Sequence, residues 1–282
     1  MYKFYMLILL IELWNPLKAQ NLIPYGEIGS FQSASSLSIN QAGFIFIADA
    51  GTNEIIKLDT LGNILKVIGG YGWSASAFDY PTDIFANTLN VYVADRNNDR
   101  IQIFDKDLNY LSEISSKKYS DQKFQFRYPM SISVNSQGDL FILDSDNTRI
   151  LKYNFRGDFL TEIGGYESSS YVLTNPKGFA INNSNQIFVI DSQDLIVYDQ
   201  FGNYAAKRKL ESNFKNINSF LNIITLSGDK NVDAIIGSVK NLFQETKSFN
   251  TEVEEKIIDS VIFNNRMYLL TEKTIFLYQF IN

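Results

Sequence analysis

The sequence predicts an all-β fold, a six-bladed β-propeller of four-stranded antiparallel blades. One motif recurs four times: "IADAGTNEIIKLD" (Ile47–Asp59), "VADRNNDRIQIFD" (Val93–Asp105), "ILDSDNTRILKYN" (Ile142–Asn154) and the shorter "VIDSQDLIVYD" (Val189–Asp199). The leading residues Asp49, Asp95, Asp144 and Asp191 are 46, 49 and 47 residues apart, a period that marks propellers and other repeat arrays. Between them lie short runs rich in β-branched and aromatic residues, bounded by Gly, Asn and Asp, which read as strands. No window long enough for a helix holds a 3.6-residue period.

Each repeat resolves into four strands. The first is "SLSIN" (Ser36–Asn40), "DIFAN" (Asp83–Asn87), "SISVN" (Ser131–Asn135) or "GFAIN" (Gly178–Asn182). Asn40, Asn87, Asn135, Asn182 and Asn264 recur in phase and read as turn residues after it. The second strand ends at the repeated Asp. A polar knot follows, then a third strand such as "RIQIFD", a glycine turn, and a fourth such as "NILKVIGG". Pro81, Pro129 and Pro176 fall just before first strands, where no ladder donor is lost. In the knot, Asp49, Asp95, Asp144 and Asp191 read as structural turn residues that bond their own backbone. Arg100 and Arg149 are expected to pair with neighbouring carboxylates or carbonyls.

The pattern fades after Asn203 without stopping. Asn222–Gln244 keeps its rhythm, with Gly237 in the Asp place, and Ser260–Gln279 keeps it with Thr271 there. The count is six, with blades near 31–69, 82–115, 130–165, 177–210, 220–252 and 258–280. The sixth unit ends at its third strand, while "LIPYGEIG" (Leu22–Gly29) resembles a fourth-strand end. The N-terminal strand is therefore expected to complete the last blade and close the ring, which removes exposed edges. Pro24 fits an outermost strand.

Residues 1–19 stand apart from this single domain of residues 20–282. Lys3, the apolar run Phe4–Ile11 and the small Ala19 read as a secretory signal peptide cut after Ala19. The run is too short to span a bilayer, which takes about 20 residues, so no transmembrane anchor is expected. An exported chain with no cysteine fits a bacterial periplasm or cell exterior more than an animal extracellular space. The whole chain carries −6, and loss of Lys3, Glu12 and Lys18 makes it −7. Nucleic acid and anionic membranes are thereby disfavoured, since both need clustered Lys and Arg. The one basic run, Lys117, Lys118, Lys123 and Arg127, is diluted by Asp121.

"VYVADRNNDRIQIFD", "FIFIADAGTNEIIKLD" and "LFILDSDNTRILKYN" resemble the NHL repeat. The resemblance covers most of residues 22–281 and is specific from about 31 to 202. It implies a six-bladed propeller used as a recognition scaffold, often for proteins and sometimes for RNA. Fold alone does not fix function.

Chemistry is restricted. The chain has no histidine, so a Ser-His-Asp triad, a His-ligated metal and a His base are all excluded. Propeller enzymes that resemble amidating lyases or streptogramin lyases depend on such histidines, so those readings fall. A sialidase would need an arginine cluster and its own Asp motif, and neither is found. One enzyme class survives as the alternative: a calcium-dependent lactonase or esterase of the gluconolactonase-like six-bladed type, which uses oxygen ligands only. Its site would lie at the channel mouth, lined by Ser36, Asp83, Ser131, Lys177 or Gly178, and Asp259. The knots themselves lack the bend glycine and distal Glu of a calcium loop. No catalytic residue and no cofactor is otherwise expected, and the domain is expected to be monomeric. The leading reading is a binding scaffold for a protein, peptide or glycan. The long loops between blades, "GGYGWSASAFDYP", "SKKYSDQKFQFRYP" and "GGYESSSYVLTNP", share a face with the knots. Tyr71, Trp73, Arg96, Tyr119, Phe126 and Tyr166 are the candidate contacts there, since aromatics and Arg mark recognition surfaces.

Overall fold

A computed structural model of the chain describes residues 21–115, 117, 119–167, 171–236 and 246–281. Residues 1–19, read as a signal peptide, lie outside these, as do Lys118 and Gly237. β1 (Asn21–Ile28) leads into blade 1, made of β2 (Ala34–Ile39), β3 (Ile45–Asp49), β4 (Glu54–Leu58) and β5 (Ile64–Gly69). Blade 2 holds β6 (Pro81–Ala86), β7 (Asn90–Asp95), β8 (Arg100–Asp105) and β9 (Tyr110–Ser115). Blade 3 holds β10 (Pro129–Val134), β11 (Leu140–Asp144), β12 (Arg149–Tyr153) and β13 (Phe159–Ile163). Blade 4 holds β14 (Pro176–Ile181), β15 (Ile187–Asp191), β16 (Asp194–Tyr198) and β17 (Tyr204–Lys209). Blade 5 holds β18 (Asn216–Phe220), β19 (Ile223–Ser227), β20 (Asn231–Ile236) and β21 (Thr246–Asn250). Blade 6 holds β22 (Asp259–Phe263), β23 (Arg266–Leu270) and β24 (Ile275–Ile281). Each blade is one antiparallel sheet in chain order, and β1 is the fourth strand of blade 6.

Burial explains the strand chemistry. Every blade is sandwiched between two others, so its second strand is covered on both faces. β3, β11 and β15 are accordingly buried at every position and read as continuous apolar runs rather than alternating ones. Outer strands such as β5 and β17 alternate exposed and half-buried, the pattern of a rim. One apolar cluster fills each of the six blade interfaces. The one between blades 6 and 1 joins Leu37, Ile47 and Leu58 to Val261, Tyr268 and Leu277.

β1 closes the ring as the sequence predicts. It pairs with β24 from Asn21↔Ile281 to Ile28↔Ile275, with a register shift between Pro24 and Gly26. Pro24 sits on the outermost strand at this irregularity, where its missing N–H costs nothing.

Register also explains why the last two blades lose the repeat motif. In blades 1 to 4 the first strand shifts register near its start, at Ala34/Ser36, Pro81/Asp83, Pro129/Ser131 and Pro176/Gly178. In each case the residue before the shift pairs with the repeated Asp. Blades 5 and 6 have no such shift. There the incoming backbone bonds the second strand directly, Lys215 N–H to Ser227 O (2.8 Å) and Ile258 N–H to Leu270 O (2.8 Å). A carboxylate is not needed to hold it. Asn216 pairs with Ser227 and Asp259 with Leu270, which corresponds to Ser36 opposite Ala48. The Asp place therefore falls on Thr271 in blade 6 and on Gly228, not Gly237, in blade 5.

Candidate functional site

The four repeated aspartates clamp the loop that brings the chain into their blade. Asp49 accepts from Gln32 and Ser33 N–H (2.7 and 2.8 Å), and Asp95 from Asp79 N–H (2.8 Å). Asp144 accepts from Arg127 N–H (3.1 Å), and Asp191 from Thr174 and Asn175 N–H (3.0 and 2.6 Å). Among the described residues only Asp49 adds a bond to backbone of its own turn, from Gly51. The expected self-bonded turn thus gives way to a long-range clamp, because a buried carboxylate facing an incoming loop meets that loop's N–H groups first. The arginines complete it. Arg100 donates to Asp95 (2.8 Å), to Glu113 (2.8 Å) and to the carbonyls of Trp73, Ser74 and Ala77. Arg149 donates to Asp144 (3.0 Å), to Glu162 (2.6 Å) and to the carbonyls of Gln122 and Gln125. Burial raises the carboxyl pKa of both Asp95 and Asp144, against their hydrogen bonds.

The clamped loops present part of the predicted aromatic set. Tyr71, Trp73 and Tyr166 are 66%, 69% and 96% exposed, and Tyr71 meets Trp73 edge-on at 5.6 Å. Two other candidates are corrected. Phe126 is fully buried against Ile132, Leu151 and Tyr153, since the gap between blades 2 and 3 is filled from this loop. Tyr119 turns away from the rim. Its hydroxyl donates to Gly157 O (2.6 Å) in the turn between β12 and β13 and accepts from Phe159 N–H (3.1 Å), at the blade's opposite end.

Two residues join the set that the sequence reading passed over. Tyr80 and Tyr128 stand in phase before Pro81 and Pro129, have φ of 62° and 48°, and are 47% and 37% exposed. A bulky residue in the left-handed region is strained by roughly 1–3 kcal/mol and persists only where its surroundings fix it. Here Tyr80 N–H donates to Asn53 Oδ1 (2.7 Å) and Tyr128 N–H to Asp99 Oδ1 (2.9 Å), each on the preceding blade. The strain turns both rings towards one residue. The Arg96 guanidinium lies 5.4 Å from the Tyr128 ring and 6.0 Å from the Tyr80 ring. No carboxylate lies within ion-pair distance of Arg96 among the described residues.

Between the two ends of the axial channel a small cavity of about 10 Å³ lies beside Asp83, Ser133 and Asn218. The mouth on the clamped-loop face holds about 280 Å³ and includes Asp83, Ser131 and Lys177. The far end is a wider cup of about 360 Å³ lined by amides such as Asn87 and Asn183 over Phe85 and Phe220. Asp259 lies deeper than the mouth and is 1% exposed.

Asp83 and Asp259 act as rivets between blades. Asp83 Oδ1 accepts from Ser36 Oγ (2.6 Å) and Ile84 N–H (2.9 Å), and Oδ2 from Ile132 N–H (2.8 Å). Asp259 Oδ1 accepts from Ser260 N–H (2.8 Å), and Oδ2 from Leu37 N–H (3.1 Å) and Asn218 Nδ2 (2.9 Å). All four oxygens face donors, so these residues do not fit a calcium cage of six to eight oxygens. Among the described residues no group of three carboxylates gathers to hold a metal. We expect identical melting of residues 20–282 in calcium and in EDTA. Calcium at a hundred times its dissociation constant would add about 2.7 kcal/mol, so a calcium-dependent rise with stoichiometric metal contradicts this.

Burial, helped by the negative Asp83, raises Asp259 to about 7. A raised carboxyl pKa means that the folded state holds the proton more tightly. The contribution is complete below the unfolded value near 4 and is lost as pH rises through about 7. Stability should therefore fall across that window by an amount on the order of a few kcal/mol. Asp259→Asn should flatten the decline, measured as melting temperature against pH. An unchanged slope in the variant contradicts the assignment.

No protein-family model matches the chain. It is 30% identical over 144 residues to Protein brain tumor of Drosophila melanogaster, covering 49% of this chain and 13% of that protein. It is 36% identical over 81 residues to NHL repeat-containing protein 3 of Homo sapiens, covering 27% and 23%. The chain thus spans less than a quarter of the length of these relatives. Among solved structures it resembles virginiamycin B lyase from Staphylococcus aureus, with TM-score 0.61, 12% identity and coverage of 93% and 99%. It also resembles the PQQ-bound aldose sugar dehydrogenase from Streptomyces coelicolor, with TM-score 0.62, 11% identity and coverage of 92% and 98%. At such identities the two enzymes speak for fold alone. The chain is a six-bladed β-propeller that is similar, over part of its length, to NHL-repeat proteins.

Proposed function

We propose that the chain is a non-catalytic recognition scaffold that binds a protein or peptide partner on the clamped-loop face. The observation that carries this is the Tyr80–Arg96–Tyr128 group. Two exposed tyrosines are held in strained backbone around an arginine with no carboxylate in ion-pair distance among the described residues. Strain kept in place by two interblade bonds points to a surface with a use. Tyr and Arg are also the residue types that dominate binding energy at protein interfaces. A partner acid could complete the Arg96 environment, and the nearby Tyr71–Trp73 pair supplies apolar area. The NHL-repeat relatives support a protein partner over a small substrate. One of the similar lyases is catalytically inactive once a histidine is replaced by alanine, and this chain contains no histidine. We read the protein as exported and working in the periplasm or outside the cell.

The test is capture of partners from the native cell by the folded chain, beside its Arg96→Ala and Tyr128→Ala variants. The reading expects one partner that both variants lose by tenfold or more while their melting stays unchanged. Equal capture by all three contradicts it.

A further inference from the structure

We propose that the channel mouth on the clamped-loop face is a binding pocket for an organic carboxylate. In a chain of net charge −6, three lysines converge on this one cavity: Lys177, Lys215 and Lys256. Their charges are not all spent. Lys215 pairs with Asp229 at 2.6 Å. Among the described residues Lys177 donates only to neutral acceptors, Asn213 Oδ1 (2.8 Å) and Phe214 O (3.1 Å). No carboxylate lies within 4.0 Å of Lys177 or Lys256 among the described residues. Burial and the neighbouring Lys215 both lower the Lys177 pKa, the response of an ammonium placed among cations without an anion.

The other carboxylate lining the cavity, Asp83, is occupied by its three donors. Among the described residues it forms no ion pair with any of the three lysines. Its charge also keeps an incoming anion at the rim, where the ammonium groups are. Asn216, whose Oδ1 accepts Ile217 N–H, also lines the cavity. The ligand class follows from the rest of the wall. Met130 and Ile258 are apolar and suit a carbon skeleton, which an inorganic anion lacks. About 280 Å³ is just below the roughly 300 Å³ at which drug-sized pockets begin. It suits one small organic acid or one acidic side chain.

This pocket needs no docked protein, so its test uses none. Binding of citrate, of a hexaglutamate peptide and of inorganic phosphate is measured by calorimetry at low salt. The same titrations are made with Lys177→Met, Lys256→Met and, on an outer strand, Lys66→Met. We expect a carboxylate probe to bind, to weaken at least fivefold in each mouth variant, and to be unchanged in Lys66→Met. Lys256 is exposed, so its variant remains informative if Lys177→Met folds poorly. Tighter citrate assigns the pocket to a free small acid, and tighter hexaglutamate to an acidic segment of a bound chain. Binding of neither overturns the proposal, as does binding indifferent to Lys177 and Lys256. Phosphate binding as tight as either carboxylate overturns the ligand class.

Discussion

A chain beginning at Gly29, without β1, should melt roughly 10–20 °C lower and self-associate. β1 supplies the outer ladder of β24 over seven residue pairs. It also places Leu22 against the blade 5–6 cluster and Ile28 against the blade 6–1 cluster. Several backbone bonds at about 1 kcal/mol each and two partly buried aliphatic side chains sum to an effect on the order of 5 kcal/mol. For a domain of this size one kcal/mol moves melting by about 2–4 °C. The exposed edge of β24 then becomes a template for another chain. Thermal melting and light scattering read both effects, and a synthetic peptide of residues 21–29 added in trans should reverse part of each. A truncated chain that melts as the full one does and stays monomeric would remove β1 from the account of closure.

The second large effect is expected from Arg100→Ala. Arg100 is 6% exposed and Asp95 0%. The change leaves a buried carboxylate without its cation and takes one donor from each of three loop carbonyls. Removing one partner of a buried pair costs about 3–5 kcal/mol, or roughly 10 °C here. Asp95→Ala should cost less, because Arg100 keeps Glu113 and the loop carbonyls. The same variant should loosen the loop that carries Trp73. In a chain starting at residue 20, Trp73 is the single tryptophan, so fluorescence anisotropy reads the loop directly. A melting loss below about 1 kcal/mol, or an unchanged anisotropy, contradicts the clamp.

The architecture was largely legible in the sequence because its causes are periodic. The aspartates, the prolines that open first strands and the turn asparagines all recur at the repeat length. Four of those asparagines accept two turn N–H groups each, as Asn40 does from Ala42 and Phe44. Asn264 instead adopts φ of 52° in a short turn. The recognition surface was less legible, because loops carry no period. Composition could not tell Phe126, which fills an interface, from Trp73, which does not. That difference arises when Arg100 and Arg149 pin their loops at particular carbonyls. Tyr80 and Tyr128 left a faint trace as Tyr-Pro pairs in phase, but their exposure depends on the left-handed bond to the preceding blade. The lysine mouth was half visible. Lys177 begins a first strand, whereas Lys215 and Lys256 come from the two blades whose motif has faded.

The proposed function rests on one face of the ring, and photo-cross-linking on two faces tests that most directly. A photo-reactive phenylalanine replaces Trp73 on the clamped-loop face, or Leu89, 70% exposed, beside the opposite cup. Both chains are illuminated in the native cell. The account predicts one protein adduct from position 73, lost on adding Arg96→Ala, and none from position 89. An adduct from position 89 alone would put the working surface at the other end of the channel and contradict the account.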